Sequence, residues 1–220
     1  MSGKIIVVEG ACDGIGKSTQ YKLLCDHLRQ DGIKVVNHHF PSYNTNTAVP
    51  IESYLKGEYG NPAELSPYFV NSLYAIDRYA IWKKFLEEEY KKGKYIVLDR
   101  YTTSSLIYQS ALIDDIEEKK AFIDFVTSFE YDKFKIGKPD NVIFLTAPFD
   151  DVTKLRNLRK DNDGIENDIH EKNLDFMRKV YDNALFIADY LDWDKVDCFS
   201  DNKFKSKDEI HEKVYKKIKK

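Results

Sequence analysis

Residues 4–19 constrain this chain more than any other stretch. Lys4-Ile5-Ile6-Val7-Val8 is a short, nearly continuous apolar run, the composition of a strand buried on both faces. It passes into Glu9-Gly10-Ala11-Cys12-Asp13-Gly14-Ile15-Gly16-Lys17-Ser18-Thr19. Tyr21, Leu24, Cys25 and Leu28 then recur at helical spacing until Gly32. A strand, a glycine-rich turn closing in Gly-Lys-Ser and a helix together make a phosphate loop. Its backbone N–H groups curl around phosphate oxygens, and the helix points the positive end of its dipole at them. Lys17 reaches the outer phosphates as a point charge, and the Ser18 hydroxyl takes a position on Mg2+. The strict spacing places the first glycine at position 11, where Ala11 stands; Gly10 lies one residue upstream. The blander reading is an ordinary glycine-rich turn between strand and helix.

A chain of 220 residues has room for one large domain. Hydrophobic content of 42% and charged content of 32% are those of a folded protein rather than a disordered tail. A net charge of −3 gives no global basic field, which argues against nucleic acid or an anionic membrane as partner. Lys213, Lys216, Lys217, Lys219 and Lys220 read as the solvated face of a terminal helix. Cys12, Cys25 and Cys198 are an odd set without C-x-x-C spacing, as suits a reducing compartment without disulfides or structural zinc. Cys12 reads as small-residue filler, since nothing nearby marks an activated thiolate. With no signal peptide and no apolar run near ~18 residues, a cytoplasmic location is expected.

Strand and helix signals alternate along the rest of the chain. Residues 33–40 read as a second strand closed by Pro41, and 51–55 as a short helix. Ser66-Pro67 supplies a capping hydroxyl and a first-turn proline for a helix running to Lys92, stopped by Gly93. Strands follow at 95–98, 141–146 and 196–199. Helical stretches are expected over 104–129, broken near Asp114, then from Pro148 through Arg159, around 180–191 and at the C-terminus. The segment 160–168 is polar, carries Gly164 and lacks periodicity, so it reads as a mobile loop. Five strands alternating with helices predict a parallel sheet covered on both faces, with ligands at the carboxyl ends of its strands.

Asp99-Arg100-Tyr101 falls where the third strand delivers its last residues to that edge, the usual place for a second Mg2+ anchor acting through water. The alternative is a capping Asp beside a surface Arg. Asp77-Arg78 is a second such pair inside a helix, where an exposed salt bridge is the stronger reading of sequence alone.

These segments together resemble the thymidylate kinases. The matching stretches are Glu9-Gly10 with Asp13 to Gln20, Phe40-Pro41-Ser42-Tyr43, Tyr74-Ala75-Ile76-Asp77-Arg78, and Asp99-Arg100-Tyr101-Thr102-Thr103-Ser104-Ser105 through Tyr108-Gln109. The resemblance implies a P-loop NTPase three-layer α/β fold, a five-stranded parallel sheet flanked by helices with a lid at about 156–168. It implies transfer of the γ-phosphoryl of ATP to dTMP with Mg2+, in a homodimer, with the long helix from Ser66 to Lys92 as an interface. On this reading Gly10, Ala11, Asp13, Gly14, Ile15, Gly16, Lys17, Ser18 and Thr19 bind ATP, while Ser18 and Asp99 serve the metal. Asp13 lies near the 3′-hydroxyl and the acceptor phosphate. Phe40 walls the deoxyribose, Tyr43 contributes near the acceptor phosphate, and Tyr74 stacks on the base. Arg78 donates to a thymine carbonyl, Ser104 and Ser105 sit near the N3 edge, and Tyr108 lies under C2′. Arg100 grips the dTMP phosphate with its forked guanidinium.

Gly14 and Ile15 stand where some thymidylate kinases carry a loop arginine, so charge for the transferring group must come from elsewhere. Arg156 and Arg159, three apart on one helix face, are the candidates, and one of them is also a candidate to stack on adenine. The bland reading is two solvated arginines. A deoxynucleoside kinase would want an acidic base just after the second strand, where this chain has Phe40-Pro41-Ser42. A nucleotide-binding regulator without catalysis is the remaining alternative, supported only by the irregular loop spacing.

Overall fold

The computed structural model describes residues 3–163 and 174–218. Five strands form one sheet: β1 (Ile5–Gly10), β2 (Val35–His39), β3 (Tyr95–Asp99), β4 (Asn141–Thr146) and β5 (Asp194–Asp197). The order is β2-β3-β1-β4-β5 and every pairing is parallel. β1 is central and buried along its whole length, as its apolar run demands. Its side chains alternate between layers with the strand period of two. Ile6 and Val8 join Leu24, Leu28 and Val214 on one face, while Ile5 and Val7 join Ile81, Trp82 and Leu86 on the other. Each such fully buried aliphatic side chain contributes roughly 1.5–3 kcal/mol. Val8 and His39 both stand opposite Asp99, which brings three strand ends to one edge of the sheet.

The helices are α1 (Lys17–Gln30), α2 (Val49–Leu55), α3 (Pro67–Ile81), α4 (Glu87–Lys91), α5 (Thr102–Tyr108), α6 (Ile116–Thr127), α7 (Phe149–Asp163), α8 (Leu174–Tyr190) and α9 (Lys207–Ile218). The expected rod from Ser66 to Lys92 is present, but its middle is a π turn, Trp82–Leu86, joining α3 to α4. Pro67 opens α3 as expected, whereas Ser66 makes no capping hydrogen bond. The 104–129 stretch is two helices: α5 is followed by a 3-10 turn, Ser110–Leu112, and α6 restarts under Asp115, whose carboxylate accepts from the N–H groups of Glu117 and Glu118. A second π turn, Ser128–Lys133, continues α6.

Two boundaries correct the sequence reading. α7 continues to Asp163, so residues 160–163 are helical rather than loop. Polar residues leave no apolar stripe there, and helix propagation needs none. Residues 164–168, the rest of the expected mobile loop, lie outside the described residues. The last strand is Asp194–Asp197; Phe199 belongs instead to a small hairpin, β6 (Phe199–Ser200) with β7 (Lys203–Phe204). Asp201 and Asn202 turn that hairpin at φ 51° and 57°, the left-handed region that two-residue turns require.

Candidate active site

The phosphate loop runs from the end of β1 to the first turn of α1. Gly14 and Gly16 have φ of 92° and 101°, and Gly16 is the N-cap of α1. Gly10 is needed for another reason: a Cβ there would lie 2.8 Å from Ile15 Cγ2. Ala11 and Ile15 turn their side chains into the core, so both face the loop only through backbone. The methyl of Ala11 packs in the cluster that holds Leu106 and Phe144, which explains how alanine is accommodated in the first-glycine slot. Cys12 is buried in the cluster on the other side. Burial, then the neighbouring Asp13 charge, pushes its thiol up to about 12, so it is inert filler as the sequence indicated.

Lys17, Ser18 and Asp99 meet at the mouth of α1. Lys17 Nζ lies 3.2 Å from Asp99 Oδ1, and Ser18 Oγ donates to Asp99 Oδ2 at 3.3 Å. His39 Nδ1 also sits 3.1 Å from Asp99 Oδ2. Burial opposes the Asp99 charge, but His39, Lys17 and Arg100 together hold its carboxyl well below the usual carboxylate range. A charged, buried carboxylate beside a serine hydroxyl is a hard-oxygen donor set that fits Mg2+. Among the described residues no group of three or more His, Cys, Asp or Glu could hold a metal ion by itself.

Beside the loop opens a cleft whose empty space, the open solvent at its mouth included, is about 680 Å³. Asp13, Phe40, Tyr43, Tyr74, Arg78, Arg100, Ser104, Ser105 and Tyr108 all line it. The elements that carry them are distant in sequence and share only the carboxyl edge of the sheet. Arg100 has φ of 65°, a conformation that non-glycine residues rarely hold and that clusters at functional sites. Its Nη2 pairs with Asp13 Oδ1, and its guanidinium lies 5.5 Å from the Tyr108 ring centroid. Tyr108 donates its hydroxyl to Asp13 Oδ2 at 3.0 Å. Burial works against the Asp13 charge, yet Arg100 and then Lys17 outweigh it and hold the carboxyl down at about 2.

Ser104 and Ser105 are both engaged within the protein. Ser104 Oγ donates to Glu9 Oε2 at 2.5 Å, and Thr103 Oγ1 donates to the same oxygen at 2.9 Å. Glu9 is fully buried and ties the end of β1 to the start of α5. Ser105 Oγ accepts from Arg78 Nη2 at 2.9 Å. Arg78 also meets Glu130 through Nε and Nη2, each at 2.6 Å.

The Asp77-Arg78 pair is not an exposed salt bridge. Both residues are buried and they bond different partners, since adjacent helix positions point to different sides. Asp77 instead accepts from the Ser42 backbone N–H at 2.8 Å and from Thr47 Oγ1 at 2.6 Å, fixing the strap that follows β2. Arg156 approaches the phosphate loop closely: a Cβ on Gly14 would sit 3.2 Å from Arg156 Cβ. The Arg159 side chain lies outside the described residues. Sequence reasoning missed Glu9, Glu130, His39 and the cleft-lining Leu55 and Gln109 as site residues. Glu130 did carry a signal, because it continues the inward stripe of Phe122 and Val126 at i+4 and i+8.

The family model described as thymidylate kinase matches residues 8–214. The chain belongs to the thymidylate kinase family. A thymidylate kinase of Plasmodium falciparum is 27% identical over 216 residues, covering 98% of this chain and 90% of the relative. One from Methylococcus capsulatus is 29% identical over 166 residues, covering 74% of this chain and 73% of the relative. Among solved structures, the thymidylate kinase of Candida albicans aligns with a TM-score of 0.75 at 23% identity, over 99% of this chain and 92% of that one. That likeness shows the shared fold. Every residue discussed above, from Glu9 to Arg156, falls inside the thymidylate kinase match.

Proposed function

We propose that this member of the family transfers the γ-phosphoryl group of ATP to dTMP, giving dTDP. The observation that carries the reading is the single cleft, beside the phosphate loop, lined by all nine side chains expected to contact the acceptor. ATP takes the loop from Gly10 to Thr19. There the open N–H groups of the first helical turn and the Lys17 ammonium offset phosphate charge. Mg2+, held by Ser18 and through water by Asp99, would neutralise further charge on the phosphates. dTMP takes the cleft, with Tyr74 against the base, Arg78 at its carbonyl edge and Arg100 on its phosphate. Asp13 and that phosphate then compete for Arg100, so the aspartate keeps the guanidinium aimed before the acceptor arrives. Phosphoryl transfer asks for positioning and electrostatic stabilisation more than covalent chemistry, and these groups supply both.

A coupled ADP-release assay with dTMP, dUMP, dCMP, AMP and GMP tests the assignment; dTMP is expected to turn over fastest. No dTMP turnover, or faster turnover of thymidine, would overturn it.

Arg156 is proposed as the arginine that stabilises the transferring group, supported by its stem lying against Gly14. Arg156→Ala is expected to lower kcat by about 10²-fold while leaving either substrate's KM within a few-fold, the pattern of an interaction made chiefly in the transition state. Unchanged kcat in steady-state kinetics would move that role elsewhere.

Homodimerisation is proposed through α3, where Phe69, Ile76 and Tyr79 are half exposed and Tyr68 packs against Phe125 of α6. Equilibrium sedimentation showing only monomer would refute it. The three cysteines are free and buried, which supports the cytoplasm as a reducing location, and among the described residues no helix is long and apolar enough to cross a membrane.

A further inference from the structure

Arg78 and Glu130 form an ion pair whose side chains are 2% and 0% exposed. A buried ion pair is a poor way to gain stability, because two charges must leave water and an apolar pair would hold the same elements together. Its geometry shows what it does achieve. Glu130 grips the guanidinium side-on, through Nε and Nη2. Nη2 is further shared with Ser105 Oγ at 2.9 Å and Asn71 Oδ1 at 3.2 Å. Nη1 makes one long contact, 3.4 Å to the Tyr101 carbonyl. With one edge of the fork fully committed, Nη1 is the edge left for the cleft that Arg78 lines. The π turn that carries Glu130 braces the same region twice, since the Tyr131 hydroxyl bonds Thr102 Oγ1 at the start of α5. Such widened turns are frequent at functional sites.

We propose that Glu130 is a positioning residue for base recognition, locking Arg78 so that its Nη1 edge meets the 4-oxo group of a pyrimidine and refuses a 4-amino group. The proposal rests on dTMP as the acceptor in the cleft. A guanidinium has only donors, so an oxygen at that position is satisfied and an amino group is left facing another donor. A rotating arginine could swing aside from the amino group, whereas one held by Glu130, Ser105 and Asn71 cannot. The carboxylate thus converts a flexible cation into a one-sided reader.

The test compares dTMP, dCMP and 2-deoxyribose 5-phosphate, which carries sugar and phosphate but no base. In Glu130→Gln, affinity for dTMP by calorimetry is expected to fall about tenfold or more, the cost of an unaligned buried hydrogen bond. Affinity for 2-deoxyribose 5-phosphate and KM for ATP are expected to stay within twofold. The kcat/KM preference for dTMP over dCMP is expected to shrink by a similar factor. Should Glu130→Gln fail to fold, Arg78→Met/Glu130→Leu removes both charges together. Its dTMP affinity is expected to fall towards that of the base-free ligand. Equal losses for dTMP and 2-deoxyribose 5-phosphate would mark a purely structural role and overturn the proposal, as would wild-type dTMP affinity in either variant. Wild-type protein that bound no dTMP would instead overturn the acceptor assignment on which the proposal stands.

Discussion

Lys17→Ala is expected to lower kcat on the order of 10²–10³-fold while the protein remains folded, the loss typical when a preorganised donor to transition-state charge is removed. The lysine is buried at the mouth of α1, 3.2 Å from Asp99, and so is aimed before any nucleotide arrives. Removing it leaves Asp99 with His39 and Ser18 as neighbours, a set that keeps the carboxylate solvated by partners and the fold intact. Steady-state kinetics and a thermal melt on the same preparation check both halves. Near-wild-type kcat in a folded Lys17→Ala protein would remove the loop from the catalytic machinery.

Arg100→Lys is expected to raise KM for dTMP by about 10-fold or more, with KM for ATP little changed, because an ammonium cannot make a paired contact to phosphate. Three structural features sharpen the expectation. Arg100 sits in a left-handed backbone conformation, its guanidinium lies over the Tyr108 ring, and Asp13 holds its Nη2. A lysine at the same φ would keep the charge and lose the fork. Initial rates with each substrate varied in turn decide the matter, and an effect confined to ATP would place Arg100 on the donor side.

Much of the sheet was legible in the sequence because parallel strands buried on both faces declare themselves as apolar runs. β3 and β4 lie where their runs lie, and the glycines that close the phosphate loop fall where the backbone turns left-handed. The nine side chains expected around an acceptor came from resemblance; they line one cleft, whose ligand is a proposal. Less visible were the groups that act through others. Glu9 looks like the last residue of a strand until Thr103 and Ser104, some ninety residues later, donate to it. Asp77 and Arg78 read as a salt bridge because they are adjacent, yet adjacency on a helix sends them to different partners. Had each been followed along the stripe of α3, with Val70 and Ile81 for Asp77 and Asn71 and Trp82 for Arg78, burial would have been the better reading. The end of α7 escaped for the opposite reason, since a polar helix carries no stripe to follow.

The central position of β1 divides the enzyme into halves of unequal firmness. The phosphate loop hangs from a strand with neighbours on both sides and with α1 packed beneath it, so opening it requires breaking the middle of the sheet. The strap after β2 hangs from an edge strand and is secured by Asp77, with a small apolar cluster around Ile51, Tyr54 and Val70 beyond it. Local openings cost least where backbone bonds are peripheral and apolar contacts few. Breathing of the native state is therefore expected on the side of the cleft that the strap borders, while the phosphate loop keeps its shape.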